Sequence, residues 1–148
     1  MKPTLSLMAK DEEDLQILSV YLQDAILLLK EVRYLPEEKK FIAVLNRFRW
    51  EAQGDEIERS EATYERVHTG LCIEHVTRVA SKGIDMENKE AFLSLLALHY
   101  DHDNQLEMVF AGGGVIRMNL EKLSLFLQDL DQSWPTKWRP LHDAAGKA

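Results

Sequence analysis

The chain has 148 residues, 45% hydrophobic and 29% charged, with a formal net charge of −7. That length and balance fit one domain over 1–148 with an ordinary core, exclude a disordered chain, and argue against broad phosphate-backbone binding, so no nucleic-acid partner is expected. The lone cysteine, Cys72, rules out an internal disulfide; the longest clean apolar run, "LSLLAL", is too short to span a membrane; and the segment after Met1 lacks a signal-peptide pattern. The expected compartment is therefore the cytoplasm.

In chain order, "TLSLMAK" alternates weakly, as a short strand does. Asp11 then stands where a helix N-cap belongs, with Glu12, Glu13 and Asp14 in the first turn, where the helix dipole favours negative charge. Leu15, Leu18, Leu22 and Ala25 recur at helical spacing, so a helix is predicted from Asp11 to about Asp24. "AILLLKEVRYL" and "FIAVLNRFRWE" flank the proline-led turn "PEEKK" and read as a hairpin. In the second arm Ile42, Val44, Phe48 and Trp50 share one face, and Ala43, Leu45, Arg47 and Arg49 the other. A polar, acidic loop follows.

Val67, Thr69, Leu71 and Ile73 then keep one parity, which Val76 breaks; a bulge or bend near Glu74–His75 accounts for the change. "AFLSLLALHY" is apolar on both parities, as a covered strand or a buried helix is, and its neighbours favour strand. "FAGGGVIRMNL" places three glycines between alternating runs. No lysine stands at the Walker offset and GxGxxG is absent, so a hairpin tip is expected there rather than a phosphate cradle. In "LEKLSLFLQDL", Leu120, Leu123, Leu127 and Leu130 fit a helix face, and a second helix is predicted. The tail from 139 to 148 reads as frayed.

Strands in series, joined by short turns, indicate an α+β domain with an antiparallel, strongly bent sheet or partly closed barrel, framed by an N-terminal and a C-terminal helix. A pleckstrin-homology-like barrel is one such shape.

Few residue clusters carry chemistry. "HYDHD" offers His99, Asp101, His102 and Asp103, but a strand-to-turn junction collects such residues anyway, and neither a metal nor another cofactor is expected. Cys72 and His75, three apart on a strand, point to opposite faces, and buried inert cysteine is the simpler reading. Arg33, Arg47 and Arg49 form a basic row across the hairpin, suited to a small anionic ligand or to cross-strand pairing with Glu31 and Glu51. Trp134 and Trp138, flanked by Lys137 and Arg139, suit an interface or a lid folded over the sheet.

"LPEEKKFIAVLNRFRWE", "LSLLAL", "LEMVFAGGGVIRMNL" and "WPTKWRPLHD" together resemble a family of short bacterial proteins known only as a conserved domain of unknown function. The resemblance runs from about Leu15 to Asp143. It implies one complete domain and carries no catalytic residues.

With no coherent catalytic set, the leading expectation is a non-catalytic binding or protein-interaction domain, with a protein partner or a second copy of itself as ligand and no membrane. The alternative is a small-molecule-binding protein or enzyme holding an anion at Arg33, Arg47 and Arg49.

Overall fold

The computed structural model describes residues 5–48, 66–101 and 103–130. Among them, nine strands form one antiparallel sheet accompanied by a single helix. In chain order these are β1 (Ser6–Ala9), α1 (Glu12–Tyr21), β2 (Ile26–Leu35), β3 (Lys40–Phe48), β4 (Arg66–Glu74), β5 (Val76–Lys82), β6 (Phe92–Tyr100), β7 (Gln105–Phe110), β8 (Val115–Leu120) and β9 (Leu125–Asp129). The sheet order is β1-β9-β4-β3-β2-β6-β7-β8-β5. It is not closed: β1 and β5 are its edges.

Helix α1 begins as the sequence predicts. The Asp11 carboxylate accepts from the Asp14 amide at 2.8 Å, and three acidic residues fill the first turn. The stripe of Leu15, Leu18 and Leu22 is buried in the core. The β2–β3 hairpin turns at residues 36–39, with Lys39 at φ 57°.

One residue, His75 at φ 62°, separates β4 from β5. Yet β4 lies third in the sheet and β5 ninth. A single residue cannot cross five intervening strands in a flat sheet, so the sheet must curl back on itself, and the left-handed His75 is the corner. Main-chain bonds hold that corner. The Val76 amide donates to the Lys39 carbonyl at 2.8 Å and the Glu121 amide to the His75 carbonyl at 2.8 Å. Strand β6 joins the two halves, pairing with β2 through Phe92–Ser94 and with β7 from Leu95 onward. The concave side encloses one core, built from Phe41, Ala43 and Leu45 of β3, Leu71 and Ile73 of β4, the buried parity of β7 and β8, and Leu125 and Leu127 of β9.

The glycines form a hairpin tip between β7 and β8. Gly113 sits at φ 96° with open space around it, whereas a Cβ on Gly114 would come within 2.6 Å of Ile84 Cγ1. Gly113→Ala therefore meets only backbone strain and is expected to cost about 1–2 kcal/mol, read from the shift in urea midpoint.

The predicted C-terminal helix is not found. Residues 120–130 instead close β8 and form β9, inserted between β1 and β4. Within β9 the buried side chains follow a two-residue period: Leu125, Leu127 and Asp129. The leucines fit both periods, and two open strand edges waiting for a partner decided between them. The frayed tail at 139–148 lies outside the described residues.

Candidate functional site

Of the basic row, Arg49 lies outside the described residues, and the other two arginines do not meet. Arg33 pairs in register with Ile42, which alternates with the core-facing Phe41 and Ala43, while Arg47 shares the core-facing parity. Arg33 is exposed, and its Nη1 donates to the carbonyls of Lys30 and Val32 at 2.9 Å each, bracing the irregularity in β2.

Arg47 is fully buried, with 0% exposure. Its Nη2 donates to Asp129 Oδ2 at 2.8 Å and its Nε to Asp129 Oδ1 at 3.0 Å, a two-pronged charge-assisted pair. The Thr69 hydroxyl accepts from Arg47 Nε at 3.1 Å and donates to Asp129 Oδ1 at 2.8 Å. The Leu5 amide donates to Asp129 Oδ2 at 3.1 Å, and the guanidinium carbon stands 5.8 Å from the centre of the Tyr21 ring. This network ties together α1, β3, β4, β9 and the residue before β1. Burial works to raise the Asp129 carboxyl, but the hydrogen bonds from Arg47, Thr69 and Leu5 and the charge of Arg47 hold it below the ordinary carboxylate value. These contacts make Arg47 a structural anchor.

The other polar candidates are local. Asp101 Oδ1 accepts from the amides of Asp103 and Gln105 at 2.9 and 3.1 Å, an Asx-type turn leading into β7. His102 lies outside the described residues, and among those described no group of three or more histidines, cysteines and carboxylates could hold a metal. Cys72 is half-buried on the outer face of β4; burial pushes its thiol up, with Lys40 opposing and Glu74 adding, which keeps it protonated and a poor nucleophile. His75 stands at the corner, its Nδ1 3.9 Å from Glu121 Oε1, where Lys39 Nζ also reaches Glu121 at 2.6 Å. Trp134 and Trp138 lie outside the described residues.

Among the described residues, a groove of about 470 Å³ lies between α1 and β6. From α1 and the turn after it come Glu12, Gln16, Ser19, Val20 and Gln23; from β6 come Leu96, Leu98, His99 and Tyr100. The two walls are joined by main-chain and side-chain bonds. The Leu98 amide donates to Ser19 Oγ at 3.2 Å, and the Asp24 amide to the Leu95 carbonyl at 2.8 Å. Two apolar side chains on facing walls stay in solvent: Val20 is 62% exposed and Leu96 48%. Phe92, four residues before Leu96 on β6, is 60% exposed. The Tyr100 hydroxyl donates to Asn104 Oδ1 at 2.6 Å. Burial first, then the Glu12 and Asp101 charges, raise its pKa, so it stays a donor at neutral pH.

No sequence signal marked this groove. Val20 and Leu96 are ordinary apolar residues of a helix and a strand, and only the docking of α1 beside β6 brings them together.

Fold and groove define a class: an open, curled antiparallel β-domain with one described helix laid beside β6. The chain belongs to DUF2948, a family of proteins of unknown function, which it matches over residues 5–142. Neither a curated protein nor a solved structure matches it. No helix among the described residues is long and apolar enough to cross a membrane.

Proposed function

We propose that this chain is a non-catalytic protein-interaction domain of the bacterial cytoplasm, acting as one unit over 1–148, whose contact surface is the α1–β6 groove. The observation that carries this reading is the pair of apolar side chains, Val20 and Leu96, left in solvent on opposite walls of one groove. Apolar anchors ringed by polar groups, here Glu12, Gln16, Gln23 and His99, are the arrangement in which a partner's side chain is desolvated and held. A second copy of the chain is one candidate partner. A pleckstrin-homology-like, partly closed outline belongs to this reading, supported by the corner at His75 and by β6 joining both halves of the sheet.

The alternative, an anionic ligand at Arg33, Arg47 and Arg49, has less support. Arg47 is enclosed against Asp129, and Arg33 lies on the opposite parity of the sheet. Affinity capture from native cells, with wild type and Val20→Glu/Leu96→Glu as matched baits, tests the groove. Specific partners are expected to fall about tenfold or more on the variant, with its circular dichroism unchanged. Equal recovery on both baits would remove the groove as the contact surface.

A further inference from the structure

The α1–β6 groove is acidic at one end and apolar further along, and the way the helix lies sets that polarity. Three ties hold α1 antiparallel to β6: the Asp24 amide donates to the Leu95 carbonyl, the Leu98 amide donates to Ser19 Oγ, and the Glu12 charge acts on Tyr100. Val20 and Leu96 therefore oppose each other across the groove, while the start of α1 comes down beside the end of β6. Ile17, three residues before Val20 on the same side of the helix, is 52% exposed and widens the apolar surface.

The acidic end is assembled from two segments far apart in the chain. Helix α1 starts with its cap Asp11 and with Glu12, Glu13 and Asp14 in the first turn; β6 runs out into Asp101 and Asp103. The helix N-terminus offsets only about half of one charge. Burial first, then the charges of Glu12 and Asp101, raises the Tyr100 hydroxyl, so both carboxylates act on one point at the end of the groove. Set against them are Lys10, just before the cap, and the exposed His99 on the β6 wall; no lysine or arginine lines the groove. Glu12 is exposed, and among the described residues no ion pair takes it up.

The spacing of the two ends limits what fits. From Val20 back to Glu12 the helix covers about 12 Å at 1.5 Å per residue. From Leu96 to Asp101 the strand covers about 16 Å at roughly 3.3 Å per residue. A helix about 10–12 Å across would fill about twice the groove's 470 Å³ over such a length, so an extended segment is the better fit. We propose that the groove holds an extended segment of a basic partner protein, with one apolar side chain between Val20 and Leu96 and a lysine or arginine about four or five residues along, against Glu12 and Asp101. This occupant presupposes the groove as the contact surface; what is new is its charge and its spacing. A second copy of the chain suits the site less, since two bodies of net charge −7 repel each other.

A library of random short peptides, selected on the wild-type chain, supplies the probes. Enriched peptides are titrated by fluorescence anisotropy against wild type, Val20→Glu/Leu96→Glu and Glu12→Lys. They are expected to carry a lysine or arginine about four or five residues from a leucine or an aromatic residue. Binding should fall about tenfold or more on Val20→Glu/Leu96→Glu and about threefold to tenfold on Glu12→Lys, the second loss fading as salt is raised. Circular dichroism checks each fold. If Glu12→Lys does not fold, Glu12→Gln/Asp103→Asn takes its place, with an expected loss of about threefold. Peptides that need Val20 and Leu96 but carry no basic residue, or that bind Glu12→Lys as tightly as wild type, overturn the proposal and leave the groove standing. Peptides that bind Val20→Glu/Leu96→Glu undiminished overturn both. A selection that enriches nothing overturns the extended basic segment, while the capture experiment still reads the groove. Self-association of the wild type that Val20→Glu/Leu96→Glu abolishes and the peptides do not displace overturns it in favour of a second copy.

Discussion

Replacing Arg47 with methionine is expected to destabilise the fold by about 3–5 kcal/mol, because it leaves the Asp129 carboxylate buried without its cation. That loss is a large part of the roughly 5–15 kcal/mol that holds a typical domain folded. Both side chains of the pair are 0% exposed, so water cannot take the place of the missing partner. Asp129→Asn should cost less than Arg47→Met, since the amide oxygen still accepts from the Leu5 amide and the Thr69 hydroxyl remains nearby. The decisive measurement is the double variant, Arg47→Met/Asp129→Asn, in a urea titration. A directly coupled pair predicts a loss well below the sum of the two single losses. Additive losses would mean that each residue is held mainly by other groups.

The same pair predicts a pH dependence with a definite sign. The folded Asp129 carboxyl titrates below its ordinary value, and an unfolded aspartate titrates near pH 3.9. The folded state therefore binds fewer protons in that interval. Stability from this group is fully present above about pH 4 and is lost as pH falls through the lower, folded pKa. The urea midpoint of wild type should drop below pH 4, and the difference between wild type and Asp129→Asn should narrow over the same interval. A difference constant down to pH 2 would count against the pair as the source.

Much of this architecture is legible in the sequence, and the parts that are not share a cause. Local signals are accurate: the Asp11 cap, the turn at residues 36–39, the corner at His75 and the hairpin at the glycines each depend on residues within one turn or one strand. The burial of Arg47 depends on Asp129, 82 positions away, and an arginine on an alternating strand looks solvated until that partner is known. The row proposed for Arg33 and Arg47 failed for a related reason. Both flank one hairpin, but the register set by the turn at residues 36–39 pairs Arg33 with Ile42, on the outer face, while Arg47 keeps the core-facing parity of Ala43 and Leu45. The groove is non-local as well, since α1 and β6 lie far apart along the chain. An outer face that mixes apolar residues such as Phe126 with polar ones such as Gln128 adds ambiguity of its own. Where both parities of a strand are apolar, period-two and helical patterns overlap, as they do in residues 120–130.

That overlap can be resolved by two leucines. In β9, Leu125 and Leu127 point the same way and are both 0% exposed. Were the segment helical, two residues would separate them by about 200° of rotation, so Leu127 would be buried and Leu125 turned away. Leu125→Ala and Leu127→Ala are therefore expected to cost similar amounts, about 2–5 kcal/mol each, from lost burial and the cavity left behind. Leu130→Ala, at a partly exposed position past the end of the strand, should cost less than either. The consequences extend beyond β9 itself, because this strand carries Asp129 and pairs with both β1 and β4. A cavity at Leu127 should loosen the Ser6–Ala9 edge first, since β1 pairs with no other strand. Faster hydrogen exchange in β1 than in β4 of Leu127→Ala is the expected signature. A cheap Leu125→Ala beside a costly Leu127→Ala would restore the helix and remove β9 from the sheet.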